Sequence, residues 1–493
     1  MSPVTLSLAN LDALPAGVER PRYDRTQLRC GIVHLGLGAF HRAHQAVYTE
    51  QVLASGDLAW GIVGASLRSP DTRDALAPQD GLYTVSVRGP DAPSYQVIGA
   101  IQQSLVATEN PQALIAAMAH EDVKIVSLTV TEKGYCHDPA TGELNEAHPD
   151  IVHDLAHPEA PRSAIGFLMA GLRHRYAKGL KPFTVLTCDN LPANGHTVAK
   201  VLRRYAQLSD PALAATIAKE VAFPSTMVDR IVPSTTDADR AALAEAGIAD
   251  AWPIMTEPFT QWVIEDHFPL GRPDWGRFGA QLVQDVLPFE TMKLRMLNGA
   301  HSTLAYLGYL SGYETVAEAM GDAALAATVE RMMREDIPPT LIIPQGTDVA
   351  AYRRSLLDRF RNPALRHRTW QIAMDGSQKL PQRLLGPARD LLVQGRPLDR
   401  IALGVAAWMR YVTGVDEQGQ PIDVRDPLAQ ELRQRADAAG RDSEKLARSL
   451  LSIEAIFGAD LPHDPRFAAP VIKALDSLFA NGVKATLRAQ TGT

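Results

Sequence analysis

The sequence predicts two domains, an α/β N-terminal domain followed by a mainly α-helical C-terminal domain. In the first part, short buried-strand patterns alternate with helical patterns, which is typical of a parallel sheet covered by helices. From Glu290 onward strand patterns nearly vanish and long helical patterns replace them. No repeat or flexible linker separates the halves, so we expect residues 1–286 and 287–493 to pack closely around a cleft.

Composition and charge exclude several classes of protein. The chain has 493 residues, 46% hydrophobic and 21% charged, an ordinary balance for a globular protein. A net charge of −7 argues against nucleic-acid binding, which requires a basic surface. Three scattered cysteines permit neither a disulfide framework nor a C-x-x-C site. With no signal-peptide pattern and no membrane-spanning apolar run, we expect a cytoplasmic protein without membrane contact, compatible with a monomer.

A glycine turn follows the first apolar strand pattern and precedes a helical pattern, as a dinucleotide-binding motif requires. Gly36 would permit the tight turn, and Gly38 would let backbone N–H groups approach a pyrophosphate where Ala39 and Phe40 begin the helix. His41 occupies the place of the usual third glycine, which prevents the closest packing of helix on strand. We predict an N-terminal Rossmann-type NAD-binding domain.

The choice between NAD and NADP depends on the segment after the second strand pattern, L-R-S-P-D. Asp71 is placed to bind the ribose hydroxyls of NAD, whereas Arg68 could favour a 2′-phosphate. We predict NAD, because a carboxylate there would repel the phosphate. Further along the chain, an alternating pattern on both sides of P-D-A-P predicts a hairpin inserted between the Rossmann units.

Two later strand patterns deliver polar residues to the carboxyl edge of the sheet, where ligands bind in doubly wound folds. The first is followed by Thr131, Glu132 and Lys133, which could contact cofactor or substrate or form a charged loop. The second is followed by Asp189 and Asn190, and from the residues alone we favour capping of the next helix.

A third group lies on the first helical pattern of the C-terminal domain. At about 100° per residue, Lys293, Asn298 and His301 fall on one broad helix face. An amine, an amide and an imidazole there could move a proton on or off a carbinol oxygen. The alternative is a helix that packs through its leucines and merely exposes its polar residues.

Several histidines could form a metal site, and one pair of neighbouring residues could form an ion pair. His41 and His44 have the i, i+3 spacing of a helical metal pair, and His301 could be a third ligand, but no third donor is near in sequence, so we expect no metal. Asp229 and Arg230 are expected to form a partly buried ion pair that holds a loop.

Six ordered motifs carry a family resemblance. They are G-L-G-A-F-H-R-A-H-Q, S-L-T-V-T-E-K-G-Y, T-C-D-N-L-P-A-N-G, F-P-S-T-M-V-D-R-I-V-P, E-P-F-T-Q-W-V-I-E-D and M-K-L-R-M-L-N-G-A-H-S. Together they resemble the mannitol dehydrogenase family of polyol-specific long-chain dehydrogenases over nearly the whole chain. The resemblance implies a Rossmann-type domain joined to a helical domain, and zinc-independent oxidation of a secondary alcohol with NAD.

The resemblance also implies roles for individual residues. Lys293 would be the general acid/base, Asn190 and Asn298 the pair that binds the oxyanion, and His301 the residue that positions the substrate. Glu290 would lie on the proton path from solvent.

Two branches of the family compete as substrate classes. The string R-H-R-T-W-Q-I-A-M-D-G-S-Q-K-L-P-Q-R-L-L resembles the fructuronate reductases, which interconvert a keto-uronate and mannonate, whereas L-R-S-P-D resembles the mannitol branch. We favour the uronate and keep a polyol dehydrogenase as the alternative and a non-catalytic dinucleotide sensor as a remote one. The predicted substrate-binding residues are Lys379, Arg383, Gln371, Asp229 and, less well placed on its helix, Arg295.

Overall fold

The computed structural model describes residues 2–89, 91–138 and 141–491. Its main-chain contacts form two compact units, an N-terminal unit of Met1–Leu287 and a C-terminal unit of Pro288–Thr493. Across the described residues, no helix has both the length and the apolar character needed to cross a bilayer.

A five-stranded parallel sheet forms the centre of the N-terminal unit. Its strands are β1 (Cys30–Leu35), β2 (Gly61–Ser66), β3 (Ile101–Val106), β4 (Ile125–Leu128) and β5 (Thr184–Thr187). They lie in the order β3-β2-β1-β4-β5, so the direction of the chain across the sheet reverses between β1 and β4. Ligands of doubly wound sheets bind at this reversal, beyond the carboxyl ends of the strands. The predicted α/β class is confirmed.

Helices cover both faces of this sheet, which explains why most of its strands are largely apolar. Successive residues of β1 point to opposite faces. Val33 and Leu35 pack with the helices Pro111–Met118 and Ala164–Ala177, whereas Ile32 packs with the helix Gln45–Ala54.

Three smaller sheets complete the strands described in the N-terminal unit. The predicted hairpin pairs Tyr83–Val87 with Ser94–Ile98 in antiparallel fashion, and Pro90 of its turn lies outside the described residues. The strands Val18–Glu19 and Ile254–Thr256 flank the hairpin and complete a four-stranded sheet. A three-stranded sheet consists of Thr226–Asp229, Gln261–Glu265 and Gln281–Val283, with Gln261–Glu265 in the middle. A two-stranded sheet pairs Val4–Thr5 with Ile248–Ala249. The remaining α-helices here are Ala39–Ala43, Asp71–Leu76, Pro149–Ala156, Asn194–Ser209, Pro211–Glu220 and Asp237–Glu245.

The C-terminal unit is helical around one continuous apolar core. Its α-helices follow Leu287–Met292, which begins at the unit boundary, and are Ala300–Leu310, Val316–Gly321, Ala323–Arg331, Val349–Arg361, Thr369–Ala373, Gly376–Leu380, Gly386–Val393, Asp399–Tyr411, Ala429–Ala439, Ser443–Leu451, Glu454–Phe457 and Pro465–Thr491, the last kinked at Gly482. Among the described residues of this unit, three segments are π-helical, Lys293–Gly299, Met332–Asp336 and Pro381–Leu385. π-Helical segments are rare in proteins, and those that occur often lie at functional sites.

Candidate active site

The glycine turn lies directly beyond β1. Gly36 has a φ of +94°, and a Cβ atom there would collide with the carbonyl oxygen of Thr129, just past β4. Both the left-handed backbone and the close approach therefore require glycine. Gly38 is the exposed N-cap of the helix Ala39–Ala43, and its N–H donates to the carbonyl of Gly36 at 2.6 Å. The turn thus occupies the reversal point of the sheet.

His41 packs against the strand that precedes the turn. Its ring stacks on that of His34 at 3.5 Å, and His34 contacts the hydroxyls of Ser127 and Thr129, each at 2.8 Å. Burial lowers the pKa of His34 to about 3 and also lowers that of His41, so both rings are neutral. His44 bonds the carbonyl of Gln261 at 3.0 Å. These histidines pack the helix on the sheet, and neither His41 nor His44 joins a cluster of three metal-donor side chains in the described chain.

The loop after β4 is held by Asp189, which follows β5. Its carboxylate accepts from the main-chain N–H groups of Val130 and Thr131 at 2.8 and 3.1 Å and from the hydroxyl of Tyr135 at 2.7 Å. Thr131 has a φ of +65°, an uncommon conformation for a β-branched residue that these bonds stabilise. The helix cap favoured for Asp189 is wrong, because the N-cap residue of the helix Asn194–Ser209 is Ala193 and no side chain caps this helix.

Three predicted contact residues lie on exposed surface at the carboxyl edge formed by β4 and β5. Thr131 and Glu132 follow β4, and Asn190 follows β5 beside Asp189. Because the two strands are parallel neighbours, their carboxyl ends place these residues at one edge of the sheet. The structure therefore brings together, within this unit, the polar groups that two distant segments supply.

The predicted ribose contact lies at the same edge, beyond β2. Asp71 is exposed at the first position of the helix Asp71–Leu76, and its N–H donates to the hydroxyl of Ser69 at 3.2 Å. The side chain of Arg68 is 87% exposed and approaches Asp150 at 3.9 Å. Both residues follow the strand next to β1, as a ribose-binding segment does in this fold.

In the C-terminal unit, Lys293 begins a π-helical segment that also contains Asn298. Lys293 is only 8% exposed, Asn298 is half-buried, and His301 is buried on the helix Ala300–Leu310. The 100° spacing used in the prediction does not apply here, because a π-helix bonds residues five apart. Lys293 and Asn298 are therefore one π turn apart and lie closer to a common face than the α-helical spacing indicated.

His301 lies among aromatic and basic groups of its own unit. Its ring centroid is 4.4 Å from that of Phe360 and 5.4 Å from that of His367. Burial, followed by the effects of His367, Arg359 and Arg383, holds its pKa well below the usual range. The neutral ring can donate one hydrogen bond and accept another.

Arg383 belongs to a second π-helical segment, Pro381–Leu385, that packs on the first. A Cβ atom at Gly299 would lie 2.8 Å from the carbonyl oxygen of Arg383, so only glycine permits this approach. The guanidinium donates to the hydroxyl of Ser302 at 3.1 Å. The packing therefore sets Arg383 relative to the segment that carries Lys293 and Asn298.

Comparison with known proteins decides the family. Residues 30–277 match the mannitol dehydrogenase Rossmann domain, and residues 285–479 match the mannitol dehydrogenase C-terminal domain. This chain belongs to the mannitol dehydrogenase family. The family predicted from the six motifs is confirmed.

Several named relatives align with this chain over nearly their full length. The D-mannonate oxidoreductase of Escherichia coli is 49% identical over 95% of this chain and 97% of its own. A mannitol 2-dehydrogenase of Aspergillus fumigatus is 44% identical over 99% of each chain. A solved Pseudomonas fluorescens mannitol 2-dehydrogenase, a ternary complex with NAD and D-mannitol, is 42% identical with a TM-score of 0.88, covering 99% of this chain and 100% of that one.

Two arginines contact partners other than the predicted ones. Arg295 donates to the carboxylate of Asp390 and to the carbonyl of Thr340. These contacts engage its guanidinium within the C-terminal unit and do not support its predicted role in substrate binding. Arg230 donates to main-chain carbonyls of Ala43 and Glu257, so the predicted ion pair with Asp229 is wrong.

The other predicted residues occupy varied positions. Lys379 donates to the carbonyls of Met374 and Ile372 at 2.5 and 3.3 Å. Gln371 is exposed on the helix Thr369–Ala373, and Glu290 is half-buried on Leu287–Met292. Asp229 is buried at the end of a strand in the N-terminal unit.

Arg359 and His367 are residues of the His301 environment that the sequence analysis missed. Arg359 is buried on the helix Val349–Arg361 between apolar positions, and an arginine at a core-facing position was the available signal. Burial, then Lys379 and Arg359, lowers the pKa of His367 to about 4. His367 had no sequence signal, because it precedes the helix Thr369–Ala373 in an irregular segment.

Proposed function

We propose that this chain interconverts D-fructuronate and D-mannonate with NAD as the hydride carrier. The broader assignment is an NAD-dependent oxidoreductase acting on a secondary alcohol, and it rests on membership of the mannitol dehydrogenase family. The observation that supports the uronate is the basic surrounding of His301, where Arg359 and Arg383 both act on the ring.

The residues at the reversal point of the sheet fit a dinucleotide. The left-handed turn at Gly36 leaves no room for a Cβ atom, and Gly38, Ala39 and Phe40 follow it where the backbone can approach a pyrophosphate. Asp71 would accept hydrogen bonds from the adenosine ribose, with Thr131 and Glu132 at the same edge. Bound NADH supplies the hydride that reduces the ketone carbon.

Lys293 is proposed to give its proton to the oxygen of the reduced carbon and to take it back in the reverse reaction. The amide groups of Asn190 and Asn298 donate to the same oxygen and stabilise its negative charge. The neutral ring of His301 orients a substrate hydroxyl, and Glu290 exchanges the proton of Lys293 with solvent. These roles follow the family resemblance and fit the burial of Lys293 and His301.

A carboxylate substrate fits the charges of the C-terminal unit better than a neutral polyol does. Arg383 presents a planar fork of donors, which matches a carboxylate, and the Ser302 hydroxyl fixes one of its nitrogens. Lys379 and Arg359 add positive potential, as their effect on the nearby His367 ring indicates. The high identity to a D-mannonate oxidoreductase supports the same choice.

The test is a nicotinamide absorbance assay with matched substrate pairs. We expect kcat/KM for fructuronate with NADH to exceed that for fructose by about 10²-fold or more, because fructose lacks the carboxylate. Mannonate and mannitol should show the same order with NAD. A preference for fructose and mannitol would overturn the proposal in favour of the alternative, a mannitol 2-dehydrogenase, which the relatives of that name support. No turnover of any sugar or sugar acid would favour a dinucleotide sensor.

Replacing Asp71 with alanine is expected to weaken NADH binding about ten-fold and NADPH binding less. The carboxylate accepts from the ribose hydroxyls of NADH but repels the 2′-phosphate of NADPH, so its loss affects the two cofactors differently. Both affinities can be measured by titrating the protein with NADH or NADPH and recording the change in nicotinamide fluorescence. Asp74→Ala is the control, since Asp74 lies on the same helix and pairs with Arg73. Equal weakening of both cofactors by Asp71→Ala would show that the ribose contact lies elsewhere.

A further inference from the structure

Three metal-donor side chains converge in the N-terminal unit at a place that the proposed reaction does not use. One donor atom each of Cys136, His148 and Asp150 lies within 4.8 Å of the other two. The thiol is buried, and the imidazole and carboxylate are half-buried. Across the described chain this is the one group of three such side chains that lies close enough to hold a metal ion.

The local fold brings the three residues together. Cys136 ends the 3-10 helix Glu132–Tyr135 with a φ of +52°, and its carbonyl accepts from the N–H of Asn145 at 2.9 Å. This bond returns the chain towards the helix Pro149–Ala156. His148 precedes that helix, and its Nδ1 accepts from the N–H of Asp150 at 3.2 Å. The positions are therefore set by main-chain contacts on both sides.

The charges around the thiol favour a cation. The carboxylate of Asp150 belongs to the group itself, and the fully buried Asp154 lies on the same helix as Asp150. Arg68 is a nearby positive charge, but its side chain is 87% exposed and lies 3.9 Å from the carboxylate of Asp150. A divalent cation would replace the thiol proton and meet the negative potential of the two carboxylates.

We propose that Cys136, His148 and Asp150 bind one thiophilic divalent cation, Zn²⁺ or Cd²⁺. The S–H bond breaks, its proton goes to solvent and a metal–sulfur bond forms, while the imidazole and the carboxylate each donate a lone pair. No atom changes its oxidation state. Water takes the fourth position of a tetrahedral site.

The three donor atoms must move closer together before they can bind one metal ion. Metal bonds of about 2.0–2.3 Å bring tetrahedral ligand atoms to roughly 3.5 Å from one another, so the donors must approach by about 1 Å. Ligation through either ring nitrogen also ends the bond from Asp150 N–H to Nδ1, because a neutral metal-bound ring has no acceptor left. We therefore expect micromolar rather than nanomolar affinity.

Cd²⁺ titration of the reduced full-length chain tests the proposal independently of activity. We expect one equivalent to produce ultraviolet thiolate-to-metal charge-transfer absorbance and to raise the melting temperature. Cys136→Ser should abolish the absorbance, and His148→Gln and Asp150→Asn should each weaken binding about ten-fold or more. Cys30→Ser and Cys188→Ser are the matched controls and should leave the titration unchanged, because their thiols are not in the group.

Two outcomes would overturn the site. One is absorbance that persists in Cys136→Ser or disappears in a control variant. The other is an affinity that neither His148→Gln nor Asp150→Asn changes, which would indicate simple thiol binding. If Cys136→Ser fails to fold by far-ultraviolet circular dichroism, the His148 and Asp150 variants decide alone.

Discussion

Lys293→Ala is expected to lower kcat by about 10²- to 10⁴-fold while leaving NADH binding unchanged, since general acid–base catalysis supplies rate factors of this size. The residues proposed to hold the cofactor belong to the N-terminal unit, whereas Lys293 lies in the C-terminal one. The lysine acts on the substrate oxygen, so its loss removes the proton donor and leaves the cofactor contacts in place. Steady-state kinetics with fructuronate and a nicotinamide fluorescence titration measure the two quantities separately.

Small primary amines added to Lys293→Ala should restore part of the rate, because they supply the missing proton donor. Lys473→Ala serves as the control, since Lys473 is exposed on the last helix of the same unit and should retain full activity. A kcat within two-fold of the unmodified chain in Lys293→Ala would remove the lysine from the mechanism. Loss of NADH binding in that variant would show instead that the substitution acts through the cofactor.

Arg383→Ala is expected to lower kcat/KM for fructuronate by about 10²-fold or more, since removing one partner of a buried charge pair commonly costs this much. The guanidinium is proposed to bind the substrate carboxylate, which fructose lacks, so any activity with fructose should fall much less. Parallel assays of the two ketones measure the difference. The predicted change is therefore in discrimination between substrates, which a general loss of structure would not produce.

The conservative replacement separates charge from geometry at this position. Arg383→Lys keeps the positive charge but loses the planar fork, and we expect it to recover only part of the activity with fructuronate. Arg396→Ala is the control, because Arg396 is exposed after the helix Gly386–Val393. If Arg383→Ala lowers activity with both ketones equally, Arg383 stabilises the π-helical segments and does not bind the substrate carboxylate.

Most of the central sheet could be predicted because its strands are buried on both faces and read as continuous apolar runs. The strand Ile101–Val106 was missed, since its Q-Q-S core interrupts that pattern at the partly exposed edge of the sheet. The glycine turn was predicted correctly as a turn because only glycine tolerates its backbone. The role of Asp189 was not, because its partners Val130 and Tyr135 lie more than fifty residues away along the chain.

The amino-acid sequence by itself determined the α/β and helical domain order, the family and the polar residue types available for dehydrogenase chemistry, because apolar periodicity and ordered motifs are local properties of a chain. Only the tertiary structure decided the π-helical spacing of Lys293 and Asn298, the surrounding of His301 by Arg359 and His367, and the meeting of Cys136 with His148. A backbone hydrogen-bond register and a contact between distant segments arise from packing. No local pattern records them.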